Sequence, residues 1–431
     1  MRIEQSTNNN LVTLFIYLSI FINSFVFFTS PFEFYFGYLI YIILLPVFFK
    51  RYQISKQLLY IFSVLFITGL FNVFIGLNST QQFFKVFTGL FLAYVFYYFV
   101  IIEYKIDIQR LFRWYLLGCY YSALIGLFQF FSFLLNFKYG YDYTWFLNKW
   151  GFIPGGNFGI RVNGLFGEPT YLAAVLSAAF FVSVLNITRK VPLYITRFKS
   201  LIIMIVYILS FSGLGQTGIF ISVILLFINF GLFRYVVILI PVSFIIFNLL
   251  ISYSSDFKDR YESTIDLFTN EKFVLGKTHG SSFILWNNYK VATKNFSENF
   301  LFGSGIGSHP IAFEKYSMGK HIKVKGFNLN SSDANSMFLR LLSETGLFGI
   351  LIFIYLIVKF YIRKIPEIQS NHWIVSNALL VMILLNLFRQ GHYFLNGFPF
   401  FVLLYYFNYY DYQTLINTSP SSTPTLQPIK T

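Results

Sequence analysis

ANSMFLRLLSETGLFG, residues 334–349, is where the one long polar stretch of the chain, 253–334, runs back into apolar sequence. Arg340 and Glu344 stand about one helical turn apart, just inside what reads as a membrane span. Ionisable side chains are costly at that depth, so the pair is a functional hypothesis by default. Polar chemistry has few other places to collect in this sequence.

Outward from that stretch the chain is oily. Of its 431 residues, 56% are hydrophobic and 11% charged, far from the roughly 25% charged residues of a soluble domain. Apolar runs of about span length lie near 11–28, 34–49, 58–77, 83–102, 114–135, 165–187, 199–211, 216–233, 235–252, 336–358, 372–388 and 397–410. Isolated strands cannot satisfy their backbone in lipid, so the chain reads as an all-α polytopic membrane protein of about twelve transmembrane helices with one large external loop. Residues 1–252 carry the earlier spans, with a smaller external loop at 136–164. Residues 253–334 form the large loop, 335–412 the last spans, and 413–431, ending rich in Ser, Thr and Pro, a disordered cytoplasmic tail. Between the runs at 199–211 and 216–233, Ser212–Gly218 must make a tight hairpin.

Charge sets the orientation. With the N-terminus in the cytoplasm, Lys50, Arg51, Lys56, Lys105, Arg110, Arg113, Arg189, Lys190, Arg197, Lys199, Arg234, Lys359, Arg363 and Lys364 all fall on cytoplasmic connections, as the positive-inside rule requires. Both termini are then cytoplasmic and 253–334 is external. The same bias accounts for about half of the basic residues behind the net charge of +15, which removes the argument for nucleic acid as a partner. The single cysteine, Cys119, lies within a span and excludes an intrachain disulfide or thiolate metal site. The first apolar run lacks an A-x-A-like exit and reads as a span, not a cleaved signal.

Several candidate residues gather on the external side. His309, His321 and His392 all fall there, but none shows the His-x-x-x-His spacing of a helical metal site, and no metal is expected. In the segment GIRVNGLFGEPTY, residues 159–171, Arg161 and Glu168 flank glycines where the chain returns to lipid. Pro169 can start a helix, and Glu168 at its N-terminus suits the helix dipole. Arg161 either pairs with Glu168 or offers its guanidinium fork to a phosphate. Arg389, in Arg389-Gln390-Gly391-His392, is either an interfacial anchor or a further anion ligand, and Arg161, Arg340 and Arg389 reach similar depth. Residues 281–295 have apolar positions at helical spacing and predict an amphipathic helix on the membrane or the bundle, with Trp286 at the interface. Gly303, Gly305 and Gly307 follow. They lack the ending of a P-loop and the frame of a Rossmann unit, and read as a turn shaping the external domain.

In this order the motifs resemble the O-antigen polymerase and ligase superfamily, the Wzy-type polymerases and WaaL-type ligases. The matching positions are Arg161, Gly164, Glu168 and Pro169, then Trp286, then Gly303, Gly305 and Gly307, then Asn335, Leu339, Glu344, Gly346 and Gly349. They extend over roughly residues 110–410. The chain departs from the pattern at Ser212-Gly213 and Ser282, where the family often carries arginine. It departs again at Ala334, where ligases usually have histidine. That last departure, with Asp333 beside it, points toward a polymerase.

The resemblance implies a GT-C-like membrane glycosyltransferase in the bacterial cytoplasmic (inner) membrane, acting at its outer face. The donor is implied to be a glycan on undecaprenyl diphosphate and the acceptor a sugar hydroxyl of a second lipid-linked repeat unit. The product is O-antigen, capsular or exopolysaccharide, with a chain-length regulator and a flippase as partners. The transfer inverts the anomeric carbon and needs neither nucleotide nor metal, because the donor is already activated. Arg161, Arg340 and Arg389 are then candidates for the diphosphate, and Asp333, His309, His321 and His392 for the base, unranked. Glu168, Pro169, Asn335 and Glu344 are motif residues of structural role. A ligase of the same superfamily, or a transporter or flippase, is the alternative; a transporter predicts polar or broken helices near the midplane and related halves, and the large external loop and outer-edge arginines argue against it.

Overall fold

The computed structural model describes residues 4–29, 33–156, 158–189, 193–232, 255–270, 278–318, 329–365 and 370–418, with Ile368 and a few positions within 241–252. The span expected at 235–252, His321, Lys190 and the end of the tail lie wholly or largely outside these. The described chain is helical, with only isolated bridges such as Val26 to Tyr35 and no strand among the described residues.

The helices are α1 (Glu4–Phe21), α2 (Phe36–Arg51), α3 (Lys56–Phe74), α4 (Thr80–Glu103), α5 (Ile108–Leu134), the short α6 (Lys138–Tyr141), α7 (Pro169–Arg189), α8 (Arg197–Leu209) and α9 (Gly213–Asn229). After them come α10 (Ser255–Asn270), α11 (Gly280–Glu298), α12 (His309–Tyr316), α13 (Met337–Lys359), α14 (His372–Arg389) and α15 (Phe398–Thr418). Six are long and apolar enough to cross a membrane: α3, α4, α5, α7, α13 and α14; α9 is a shorter apolar helix. The hairpin expected at Ser212–Gly218 is tighter than that range. The connection from α8 to α9 is Ser210–Ser212, with Phe211 in the left-handed region.

At the centre stand α7 and α14, 78% of whose most apolar windows are buried, against 17% for α3 and 22% for α13 at the edge. The reason is in the sequence of α7. Ala173, Ala174, Ser177, Ala178, Ala179 and Ser183 give it a small-residue surface against which α8, α9 and α14 pack closely. Polar pairs fix the contacts: Asn186 donates to Ser200 at 2.9 Å and Asn229 to Asn377 at 2.8 Å.

The segment before α7 is tied down by Gln129 of α5, whose side-chain oxygen accepts from the amides of Asn163 (3.1 Å) and Gly164 (2.8 Å). The Trp150 indole donates to the Gly164 carbonyl at 2.8 Å. These bonds fix the turn that delivers Pro169 as the first residue of α7, the helix start expected of it.

Helix α11 occupies the predicted amphipathic segment and packs on α13 and α12. Trp286 departs from the expected interfacial placement. It is 1% exposed, in a core with Leu267, Phe283, Val291, Ala312, Phe313 and Leu329. The described part of 255–329 thus has an apolar core of its own, and its largest side chain, Trp286, fills it.

Candidate active site

The backbone of α13 breaks at Gly346, whose φ of 63° and ψ of −161° lie outside the helical region. A helix break frees carbonyls before it and amides after it, and buried backbone must find other partners. The loop after α11 supplies them in both directions. Ser304 and Gly305 donate to the carbonyls of Ser343 (3.2 Å) and Glu344 (2.8 Å), while the amides of Leu347 and Phe348 donate to Phe300 (2.9 Å) and Leu301 (3.1 Å). The approach leaves no room for side chains. A Cβ on Gly303, at φ +66°, would lie 2.4 Å from the Glu344 carbonyl carbon, and one on Gly307, at φ +82°, 2.7 Å from the Gln82 oxygen. The three glycines therefore do more than shape a turn, forming a lock: Gly303 closes on the break in α13, Gly305 and Gly307 close on Asn72 of α3 and Gln82 of α4, and the amides of Gly305 and Gly307 donate to Glu344. Asn295 of α11 reinforces the lock, donating to the Ser304 hydroxyl (2.7 Å) and the Ser343 carbonyl (2.9 Å).

Glu344 stands at the centre of this lock, 1% exposed. One carboxylate oxygen accepts from Arg340 Nε at 2.9 Å and lies 3.4 Å from the His309 amide. The other accepts from the Gly307 amide at 2.9 Å and the Tyr393 hydroxyl at 2.9 Å. The Arg340 guanidinium, 3% exposed, also donates to the Gly391 carbonyl at 2.9 Å and lies 4.2 Å from the centre of the Tyr393 ring. Arg340 and Glu344 are thus joined as their spacing suggests, and Arg340 faces protein groups within the lock.

Beside this pair, His392 Nε2 meets Asp333 Oδ2 at 2.8 Å. The His392 side chain is 24% exposed and that of Asp333 9%, so the histidine is the member that solvent reaches. Burial pushes the Asp333 carboxyl up, but the charge and hydrogen bond of His392, the Asn335 amide at 2.9 Å and the nearby Arg340 outweigh it and hold the group at about 2. Asn335 and Ala334 both take left-handed backbone, and Ser336 then caps α13 through the Leu339 amide while donating to the Leu387 carbonyl at 2.8 Å. Ala334 itself is fully buried against Ala292 and Leu339. Gly391 fits equally closely, since a Cβ there would lie 1.6 Å from the Asp333 carbonyl oxygen.

His309, another expected candidate, is fully buried at the start of α12. Its Nε2 lies 3.0 Å from the Asn288 side-chain Oδ1, which can only accept and so places the proton on Nε2, and Nδ1 has no hydrogen-bond partner among the described residues. Burial and then Arg340 push the imidazole down to about 3, only partly offset by Asp333, so it is neutral.

Glu168 is exposed; its carboxylate accepts from the Thr170 hydroxyl at 2.9 Å and its carbonyl begins α7. Its field, with those of Asp333 and Glu33, acts on Tyr171 one turn into the helix. Glu33 was not singled out by the sequence. It forms an ion pair with Lys149, accepts from the Tyr35 hydroxyl, and feels the charge of His392. Partial burial raises its carboxyl, but Lys149 and Tyr35 more than compensate and hold it below its usual value. The carboxylates of Glu33, Glu168 and Asp333, with His392, thus border one region at the end of α7. Arg161 and Arg389 are half-buried, at the two chain segments leading into and out of that end of the bundle; the Arg161 amide donates to Ile153 at 3.1 Å.

Tyr393, Asn295 and Asn288 were likewise missed, and one signal could have found the first, which follows Gly391 and His392 directly. Among the described residues no three His, Cys, Asp or Glu side chains cluster in a metal-ligating arrangement. No family model and no curated protein matches the chain.

Proposed function

We propose that this protein is a membrane glycosyltransferase that joins undecaprenyl-diphosphate-linked oligosaccharide repeat units into O-antigen, capsular or exopolysaccharide at the outer face of the bacterial cytoplasmic membrane. The observation that carries the reading is the His392–Asp333 pair: a partly exposed imidazole, oriented by a buried carboxylate at 2.8 Å, beside the motif residues that the resemblance rests on. In the neutral form His392 donates from Nε2 to Asp333, which leaves Nδ1 to accept a proton. An acceptor sugar hydroxyl is deprotonated there as its oxygen attacks the anomeric carbon of the donor. The C–O bond to the diphosphate breaks on the opposite face, so the configuration inverts, and undecaprenyl diphosphate departs with the electron pair.

Arg161 and Arg389 are assigned to the charge growing on the leaving diphosphate, because a planar fork suits phosphate oxygens. Arg340 is assigned to holding Glu344 and Gly391, where its donors already have acceptors. Of the base candidates, His309 is buried and neutral, and Asp333 is enclosed by its own partners. Where ligases have histidine, Ala334 fills a sealed position between Ala292 and Leu339, which favours polymerase over ligase. About twelve spans and cytoplasmic termini complete the proposal.

Purified protein given only lipid-linked repeat units, with chelator and without nucleotide, should make longer lipid-linked glycans, and His392→Ala should abolish that product at normal protein level. Transfer of a preformed polymer to lipid A core or protein, with no elongation of repeat units, would establish the ligase instead.

A further inference from the structure

At the far end of α14 from His392, a cavity of about 660 Å³ opens between the beginnings of three helices. Its lining includes Asp107, Thr196 and Asn371, the N-cap residues of α5, α8 and α14. Three helix N-termini therefore meet at one cavity, each equivalent to roughly +0.5 charge. Arg110, Arg113 and Lys199 line it as well. Among the described residues none of these three cations pairs with a carboxylate: the Arg110 guanidinium lies 5.5 Å from the Tyr104 ring and the Lys199 ammonium 5.1 Å from that of Tyr120. The one carboxylate in the lining, Asp107, accepts from the Arg110 amide at 3.0 Å.

Gln109 lines the same cavity; its carbonyl oxygen accepts from the Tyr194 hydroxyl, and its buried amide nitrogen has no hydrogen-bond partner among the described residues. Beside the cavity, Phe198, Leu201, Ile205 and Ile208 are exposed along one stripe of α8 that runs from its first turn to its last. Helix α14 spans about 27 Å at 1.5 Å per residue, so the cavity is separate from the His392 site.

We propose that this cavity binds the phosphate headgroup of an anionic phospholipid, with Arg110, Arg113 and Lys199 around the phosphate and the acyl chains along the apolar stripe of α8. The positive ends of three helices and the three cations attract the anion, and the neighbouring stripe selects a lipid over a free phosphate.

The full-length protein, freed of lipid in detergent, is titrated with phosphatidylglycerol, with phosphatidylcholine and with inorganic phosphate, and bound lipid is counted by native mass spectrometry. Phosphatidylglycerol should bind at one saturable site at least about tenfold more tightly than phosphatidylcholine, and Arg110→Gln/Arg113→Gln should weaken it by about tenfold or more. Lys199→Gln, made separately in case the double variant does not fold, should weaken it in the same direction. Equal phosphatidylglycerol binding by parent and either folded variant overturns the site. Inorganic phosphate binding as tightly as the lipid, and displacing it, overturns the lipid assignment.

Discussion

Replacing Glu344 by Gln keeps the shape of the side chain and removes the charge that Arg340 faces at 2.9 Å. Both residues are almost wholly buried, so the guanidinium would be left in the interior with the Gly391 carbonyl and the Tyr393 ring as its partners. Breaking a buried pair from one side costs about 3–5 kcal/mol, because the surviving charge keeps its desolvation penalty. The new amide nitrogen adds a second conflict. Both carboxylate oxygens accept backbone amides, from Gly307 on one side and His309 on the other, and whichever position the NH2 takes faces a donor. We therefore expect Glu344→Gln to lose about 4 kcal/mol against unfolding in detergent. The loss should first free the glycine turn, with protease cleavage within 299–309. In Arg340→Met/Glu344→Gln the orphan charge is gone, and the loss should be smaller than the sum of the two singles by about 2 kcal/mol. A Glu344→Gln protein within 1 kcal/mol of the parent by denaturant unfolding, or strict additivity in the cycle, would refute this account of the lock.

Four further outcomes are expected. Gly391→Ala drives a Cβ to 1.6 Å from the Asp333 carbonyl oxygen, so the His392–Asp333 pair must separate; repeat-unit elongation should fall by about 100-fold per enzyme molecule, and unchanged activity would detach that pair from the chemistry. Because His309 is held at about 3 when folded and titrates near 6.5 when unfolded, the unfolded chain binds the extra proton between those values. Stability is fully present above pH 6.5 and declines by about 1.4 kcal/mol per pH unit below it, and His309→Asn should flatten unfolding midpoints measured from pH 6.5 to 4. Asp333, held at about 2, acts in a lower window: its contribution is present above pH 3.8 and disappears as pH falls toward 2. Arg161→Lys and Arg389→Lys keep charge but lose the fork, and each should reduce elongation at least about tenfold at normal protein level; full activity in both Lys and Ala variants would remove them from the diphosphate site.

The helices were legible because their apolar runs are long, and α7, α13 and α14 begin within a few residues of the runs at 165–187, 336–358 and 372–388. Arg340 and Glu344 were legible for a local reason, being i and i+4 on one helix. What stayed hidden is long-range. Tyr393 reaches Glu344 across 49 positions, and no periodicity connects them. The break at Gly346 was hidden too, since glycine is ordinary within transmembrane helices and only the neighbouring loop shows that its carbonyls and amides have been taken over. Trp286 misled because an aromatic on an amphipathic helix suits a membrane surface as well as a small core, and the choice depends on the partners that α10 and α12 bring. Glu33 was passed over because its loop is short, yet a short loop can still put one carboxylate beside His392.

The lock and the chemistry are connected through two backbone groups. The Gly391 carbonyl accepts from Arg340, and the next residue is His392; Asp333 is joined through Asn335 and Ser336 to the first turn of α13, three residues before Arg340. The buried pair therefore sets the position of both members of the exposed pair. In the proposed reaction a loosened lock need not unfold the protein to stop transfer, because a shift of about 1 Å at Gly391 is enough to misplace the imidazole assigned to the acceptor hydroxyl. On that proposal an expensive ion pair, itself almost wholly buried, serves to position the exposed one. Its net contribution to stability is modest, since two apolar residues of the same volume could pack as well, whereas its directional bonds to Gly307, Tyr393 and Gly391 hold three segments in one register. An apolar replacement of both residues, such as Arg340→Met/Glu344→Leu, should accordingly retain a folded bundle and lose elongation, and a fully active double variant would show that the register is set elsewhere.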